Sequence, residues 1–145
     1  MAPENKHYVI TGAPSTGKSS VINELRKMNF VCHDEVARGI IKENQENNHN
    51  VFPWINMREF SDMVYSRMKN RVEHQSDNLC FLDRSVVDLI GYMEFANEKA
   101  PINYSEFAKS ARYAKKVFIM PLWASIYTND QERKESIEEA KTIDY

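Results

Sequence analysis

Gly12 and Gly17 stand with four residues between them, and Lys18, Ser19 and Ser20 follow at once, the G-x-x-x-x-G-K-[ST] spacing of a loop that cradles phosphate. The glycines let the backbone curl until successive N–H groups face phosphate oxygens, and a helix opening at the lysine adds its positive dipole end. Lys18 supplies a full charge, and Ser19 is suited to put its hydroxyl on a Mg²⁺ ion bridging the outer phosphates. Thr16 and Ser20 add donors, while Ala13, Pro14 and Ser15 fill the loop and Pro14 stiffens it. Average residue usage yields this spacing in only about a few of every thousand chains of this length, which argues against an ordinary turn.

Further along, FLDRS ends an apolar run with Asp83, where a carboxylate can hold the water shell of a magnesium ion, and Arg84 then points toward a second substrate. The residues leave open a plain helix cap for Asp83 and a solvated surface ion pair for Arg84. Glu35 and Arg38 are candidates for contact with that second substrate, Glu35 as acceptor of a hydroxyl proton; a surface pair between the two is the alternative. Gly39 shares their side of a helix, where glycine costs about 1 kcal/mol relative to alanine, so a cavity or a close neighbour is expected there. Arg133 opens a charged helix against its dipole, which suits a lid arginine over a moving phosphoryl group; a solvated face is the alternative. Trp54 and Tyr92 are expected to pack against the core, with stacking on a planar ring as the other reading.

Elements of two kinds must position these groups. HYVIT reads as a buried strand, and Val21, Ile22, Leu25 and Met28 as a helix closed by Asn29, before a short strand over 30–32. Val36, Ala37, Ile40 and Ile41 give an apolar helix face over 34–44, with Asp34 as its expected N-cap. The polar run ENQENNHN reads as a mobile surface loop. Phe60, Val64, Met68 and Val72, with Met57 and Met63, form a long amphipathic helix that stops near Ser76, and NLCFLD is the third strand. Helices over 86–97 and 105–113 follow, then a strand over 117–120 stopped by Pro121, and a last helix capped by Thr128, Asn129 or Asp130. Strands alternating with helices point to an α/β fold with a parallel sheet.

The chain has 145 residues, enough for one domain, taken as 1–145. A net charge of −2 gives no bulk reason to expect nucleic acid or a membrane as partner. Cys32 and Cys80 lie in apolar runs without paired spacing, so buried thiols and a reducing compartment are expected, and with no leader or spanning segment the reading is cytoplasmic. His7, His33, His49 and His74 lack zinc-ligand spacing, leaving magnesium as the expected metal.

Taken in order, YVITGAPSTGKSS, HDEVARGI, FLDRSVVDLIGY and VFIMPLWASIYTNDQERKES resemble the NadR-like AAA domain ATPases, a P-loop NTPase group that includes nicotinamide riboside kinase domains. The resemblance implies a three-layer α/β sandwich with a parallel sheet of the nucleoside and nucleotide kinase type. It implies nucleoside triphosphate binding at residues 12–20, magnesium support from Asp83, and substrate or phosphate contacts from Glu35, Arg38, Arg84 and Arg133. Members of the group continue past the lid helix with a strand and a helix, so the domain is expected to be incomplete at its C-terminal end, leaving the fourth strand as an exposed edge. The expected activity is a Mg²⁺-dependent kinase passing the γ-phosphoryl group of ATP, or of GTP, to a hydroxyl of a small nucleoside-like acceptor. A nucleotide-dependent switch read out through the 43–50 loop, and an ATPase acting on a macromolecule, are the rival readings. Neither acceptor nor oligomeric state follows from the sequence.

Overall fold

A computed structural model of the chain describes residues 5–13, 17–74 and 78–120. Strand β1 (His7–Gly12) leads to helix α1 (Lys18–Lys27), and strand β2 (Val31–His33) to helices α2 (Val36–Glu46) and α3 (Met57–His74). Strand β3 (Cys80–Asp83), helices α4 (Val86–Phe95) and α5 (Ile102–Ser110) and strand β4 (Tyr113–Met120) complete the order. The expectations for Pro14, Ser15 and Thr16, and for the charged helix with Arg133, fall outside the described residues.

The four strands are parallel in the order β2-β3-β1-β4. From β1 the chain crosses β3 to reach the edge strand β2, whereas from β3 it crosses β1 in the opposite sense to reach β4. Right-handed crossovers running in opposite senses put α1 on one face and α2 to α5 on the other, giving the expected three layers. Where the two senses diverge, at the carboxyl ends of β1 and β3, sheets of this topology place a ligand-binding crevice. Ile10 registers with Asp83, so the loop after β1 and the acid ending β3 share that edge.

Strand alternation divides the core. Val9, Cys80 and Leu82 are buried with Val72 of α3 on one face. On the other, the rings of Tyr8 and Phe81 lie 5.9 Å apart, Phe30 meets Phe81 edge-on at 5.5 Å, and Phe118 closes the cluster. The helical layer has its own core, in which Val36, Ile40, Phe60, Val64, Met68, Leu89, Met93 and Tyr104 are buried, so the spacing read for α2 and α3 describes real buried faces.

Several local expectations are corrected. Asp34 does not cap α2: Glu35 holds the cap position, and the Asp34 carboxylate accepts from Arg26 at 2.8 Å. Helix α2 runs through the first half of ENQENNHN, because Asn44 is buried with its amide donating to the Val51 carbonyl at 2.7 Å, and Glu43 pairs with Arg67 at 2.9 Å. A composition typical of loops here belongs in part to a packed helix end. Helix α5 begins at Ile102, since Pro101 is suited to the start of a helix, and β4 reaches back to Tyr113. Lys115 and Lys116 hide that strand from a hydropathy reading, yet lysine is what an edge strand tolerates. In the described sheet β4 is that edge, with Val117, Phe118 and Ile119 exposed.

Candidate functional site

The end of β1 and the start of α1 are shaped by two glycines. Gly12 has φ 143°, and a Cβ there would lie 2.5 Å from the Met120 carbonyl oxygen at the end of β4, so no other residue fits without displacement. Gly17 caps α1 in the left-handed region at φ 88°, which turns the chain into the helix at Lys18. Ala13 is buried, and Ser19 and Ser20 are exposed on the first turn.

Lys18 is buried, and its Nζ lies 2.5 Å from Oδ1 of Asp83, with 8% of each side chain exposed. Burial pushes the Asp83 carboxyl up from its ordinary value. The Lys18 ammonium and Arg84 pull it down, and the Glu35 carboxylate pushes it up again. A helix cap is not the role of Asp83, because Ser85 holds the N-cap of α4.

Arg84 stands at φ 72°, a left-handed conformation uncommon for a long side chain, while its N–H continues the sheet ladder by donating to the Ile10 carbonyl at 2.9 Å. Its Nε is buried, has no hydrogen-bond partner among the described residues, and lies 3.6 Å from the Glu35 carboxylate. Only about a fifth of each of these side chains is exposed, so the solvated surface pair is overturned for Arg84. Glu35 pairs with Arg84 rather than Arg38, which is exposed. The crevice thus holds Lys18, Asp83, Arg84 and Glu35, brought from α1, β3 and the cap of α2.

Other candidates lie elsewhere or differ from expectation. Trp54 is 65% exposed and stacks on Phe52 with ring centroids 4.9 Å apart, and Tyr92 is also exposed, so neither packs in the core. A Cβ at Gly39 would meet nothing within 4 Å, which leaves open space and excludes the close neighbour. The reading from the residues missed Thr11 and Asp88. Oδ2 of Asp88 accepts from the Ser85 N–H at 2.8 Å, and Oδ1 accepts from the Thr11 hydroxyl. The serine-x-x-aspartate spacing of Ser85 and Asp88 is a capping-box signal that pointed to half of this arrangement.

A family model described as an AAA domain matches residues 7–145, nearly the whole chain. The chain belongs to this P-loop NTPase family. No curated protein matches it. In a P-loop NTPase the loop between β1 and α1 is the nucleotide site, which agrees with the fold and with the buried lysine that opens α1. The Ser19 hydroxyl, exposed on the first turn of α1, and the Asp83 carboxylate are hard oxygens of the kind that suits magnesium, an ion that keeps waters and phosphates for the rest of its shell. Among the described residues there is no group of three or more His, Cys, Asp or Glu that could hold a metal, and no helix long and apolar enough to cross a membrane.

Proposed function

We propose that this P-loop NTPase is a Mg²⁺-dependent kinase that transfers the γ-phosphoryl group of a nucleoside triphosphate, ATP before GTP, to a hydroxyl of a small nucleoside-like molecule. The carrying observation is the contact between Lys18 and Asp83, which puts the phosphate-loop ammonium and the strand-end carboxylate in one buried spot. Magnesium, when bound through Ser19 and Asp83, would neutralise charge on the outer phosphates. The Lys18 ammonium has three N–H donors, so one bond to Asp83 leaves others for phosphate.

In the transfer, the acceptor oxygen bonds the γ-phosphorus, the bridging bond to the diphosphate breaks, and the hydroxyl proton passes to Glu35 or Asp83. Arg84 and Arg133 are the proposed cations for acceptor and transferring phosphoryl group, with Arg38 at the outer end of the acceptor side. The resemblance to NadR-like domains supports a nucleoside as acceptor. The Asn44 and Glu43 contacts weigh against a switch in the 43–50 segment, since both anchor it to the helical layer.

The test is a panel of nucleosides offered with ATP and Mg²⁺ to the protein and to Lys18→Ala. One phosphorylated product, lost in the variant, is the expected result. Tight Mg²⁺-nucleotide binding with no acceptor turned over would replace the kinase by the switch.

A further inference from the structure

The phosphate loop and the acid-bearing turn come from different strands, and their separation decides whether one cation can touch both a phosphate and Asp83. Three sets of hydrogen bonds order these pieces, the second of them within the turn itself. The Arg84 N–H donates to the Ile10 carbonyl at 2.9 Å. The Asp88 carboxylate accepts from the Ser85 N–H at 2.8 Å and from its hydroxyl at 3.2 Å. The third link leaves the turn altogether: the hydroxyl of Thr11, next to Gly12, donates to the other oxygen of Asp88.

We infer that Asp88 and Thr11 are positioning residues, a brace between the entrance of the phosphate loop and the N-terminus of α4 that sets the distance from loop to Asp83. This rests on the nucleotide-binding part of the proposed function. The placement explains why one carboxylate is divided between a helix cap and a strand: Oδ2 holds the cap and with it the left-handed Arg84 turn, and Oδ1 holds β1. A cap alone would need only the first. Helix α4 is docked on the helical core through Val86, Leu89 and Met93, so the brace refers the loop to a buried layer.

Thr11→Val separates the brace from the cap, because valine keeps the shape and β-branching of threonine and leaves Asp88 on Ser85. A hydrogen bond to a charged group is strong enough that Mg²⁺-ATP affinity should fall about tenfold. Affinity for ATP in a chelator, which needs the loop but not Asp83, should change less than about twofold. Thr11→Ser, which retains the hydroxyl, should restore the wild-type ratio of the two affinities. Thr11→Ala gives the same comparison if the valine variant does not fold. Equal losses with and without metal, or no loss, would overturn the brace; a wild-type protein that binds no Mg²⁺-ATP would overturn the nucleotide reading and the brace with it.

Discussion

Two parts of the molecule bury a polar group against a carboxylate, and they do it in opposite ways. Between α3 and α5, the Tyr104 hydroxyl donates to Asp62, Tyr65 stacks on Tyr104 with centroids 4.1 Å apart, and Phe107 meets Tyr65 edge-on. Asp62 keeps 51% of its side chain exposed, so only the neutral phenol is fully desolvated. In the crevice both partners are ions, and both are desolvated. Around them lie a left-handed arginine, a buried guanidinium nitrogen without a hydrogen bond among the described residues, and a glycine pressed against a carbonyl. The seam between helices adds stability; the crevice gives some up for an arrangement of charge, as functional sites do.

The largest effect should come from breaking the ion pair on one side. Lys18→Ala leaves a lone buried carboxylate at Asp83 and should lower unfolding free energy by about 3 kcal/mol or more, read by urea denaturation. The double variant Lys18→Met with Asp83→Leu removes both charges and should return stability to the wild-type level or about 1 kcal/mol above it, while nucleotide binding stays lost. A double variant as unstable as Lys18→Ala would erase the contrast between crevice and seam.

Gly12→Ala tests the same contrast through the backbone. A positive φ and a Cβ 2.5 Å from the Met120 carbonyl together should cost about 3 kcal/mol, because the strain lies in two hydrogen-bonded strands that cannot separate freely. Wild-type stability in this variant would mean that the end of β4 yields easily, and that the crevice is softer than the seam.

How much of this could be read from the residues depended on the range of the interaction. The glycine at the end of β1 and the start of α1 were legible because their signal is local: glycines, lysine and serine stand within a few positions of one another. Asp83 was legible because an apolar run ending in an acid marks the carboxyl end of a strand. The Glu35–Arg84 pair was not, since it joins residues that meet only when β2 lies beside β3. For the same reason Asp34 read as a cap, although Arg26 takes its carboxylate from the neighbouring helix. Asn44 misled the reading because asparagine favours loops until a backbone carbonyl of the fold claims its amide. Asp88 was half legible, its cap written in the spacing and its bond to Thr11 written only in the fold.

A smaller effect is expected in the seam. Tyr104→Phe removes one hydrogen bond while leaving the ring stack, and Asp62 can turn to water, so the loss should be about 1 kcal/mol. Nucleotide affinity should not change. A loss comparable with that of Lys18→Ala would show that the seam, too, depends on a desolvated partner.

An effect of about the same size sharpens the comparison within a single strand, for β3 carries Cys80 at one end and Asp83 at the other. Burial is the leading cause in both shifts, but the ammonium beside Asp83 restrains it, whereas the Cys80 thiol is pushed up to about 11. At pH 8 only about one Cys80 in a thousand is then a thiolate, so the native thiol should resist disulfide reagents and react through opening of the sheet. The sign for stability follows from proton binding: between pH 9 and about 11 the unfolded thiol ionises while the folded one stays protonated, so stability falls as pH rises through that window. Denaturation at pH 8 and pH 10, compared with Cys80→Ala, isolates the contribution. An equal pH dependence in both proteins would mean that the thiol ionises inside the fold, and that β3 is open to water at the end away from the crevice.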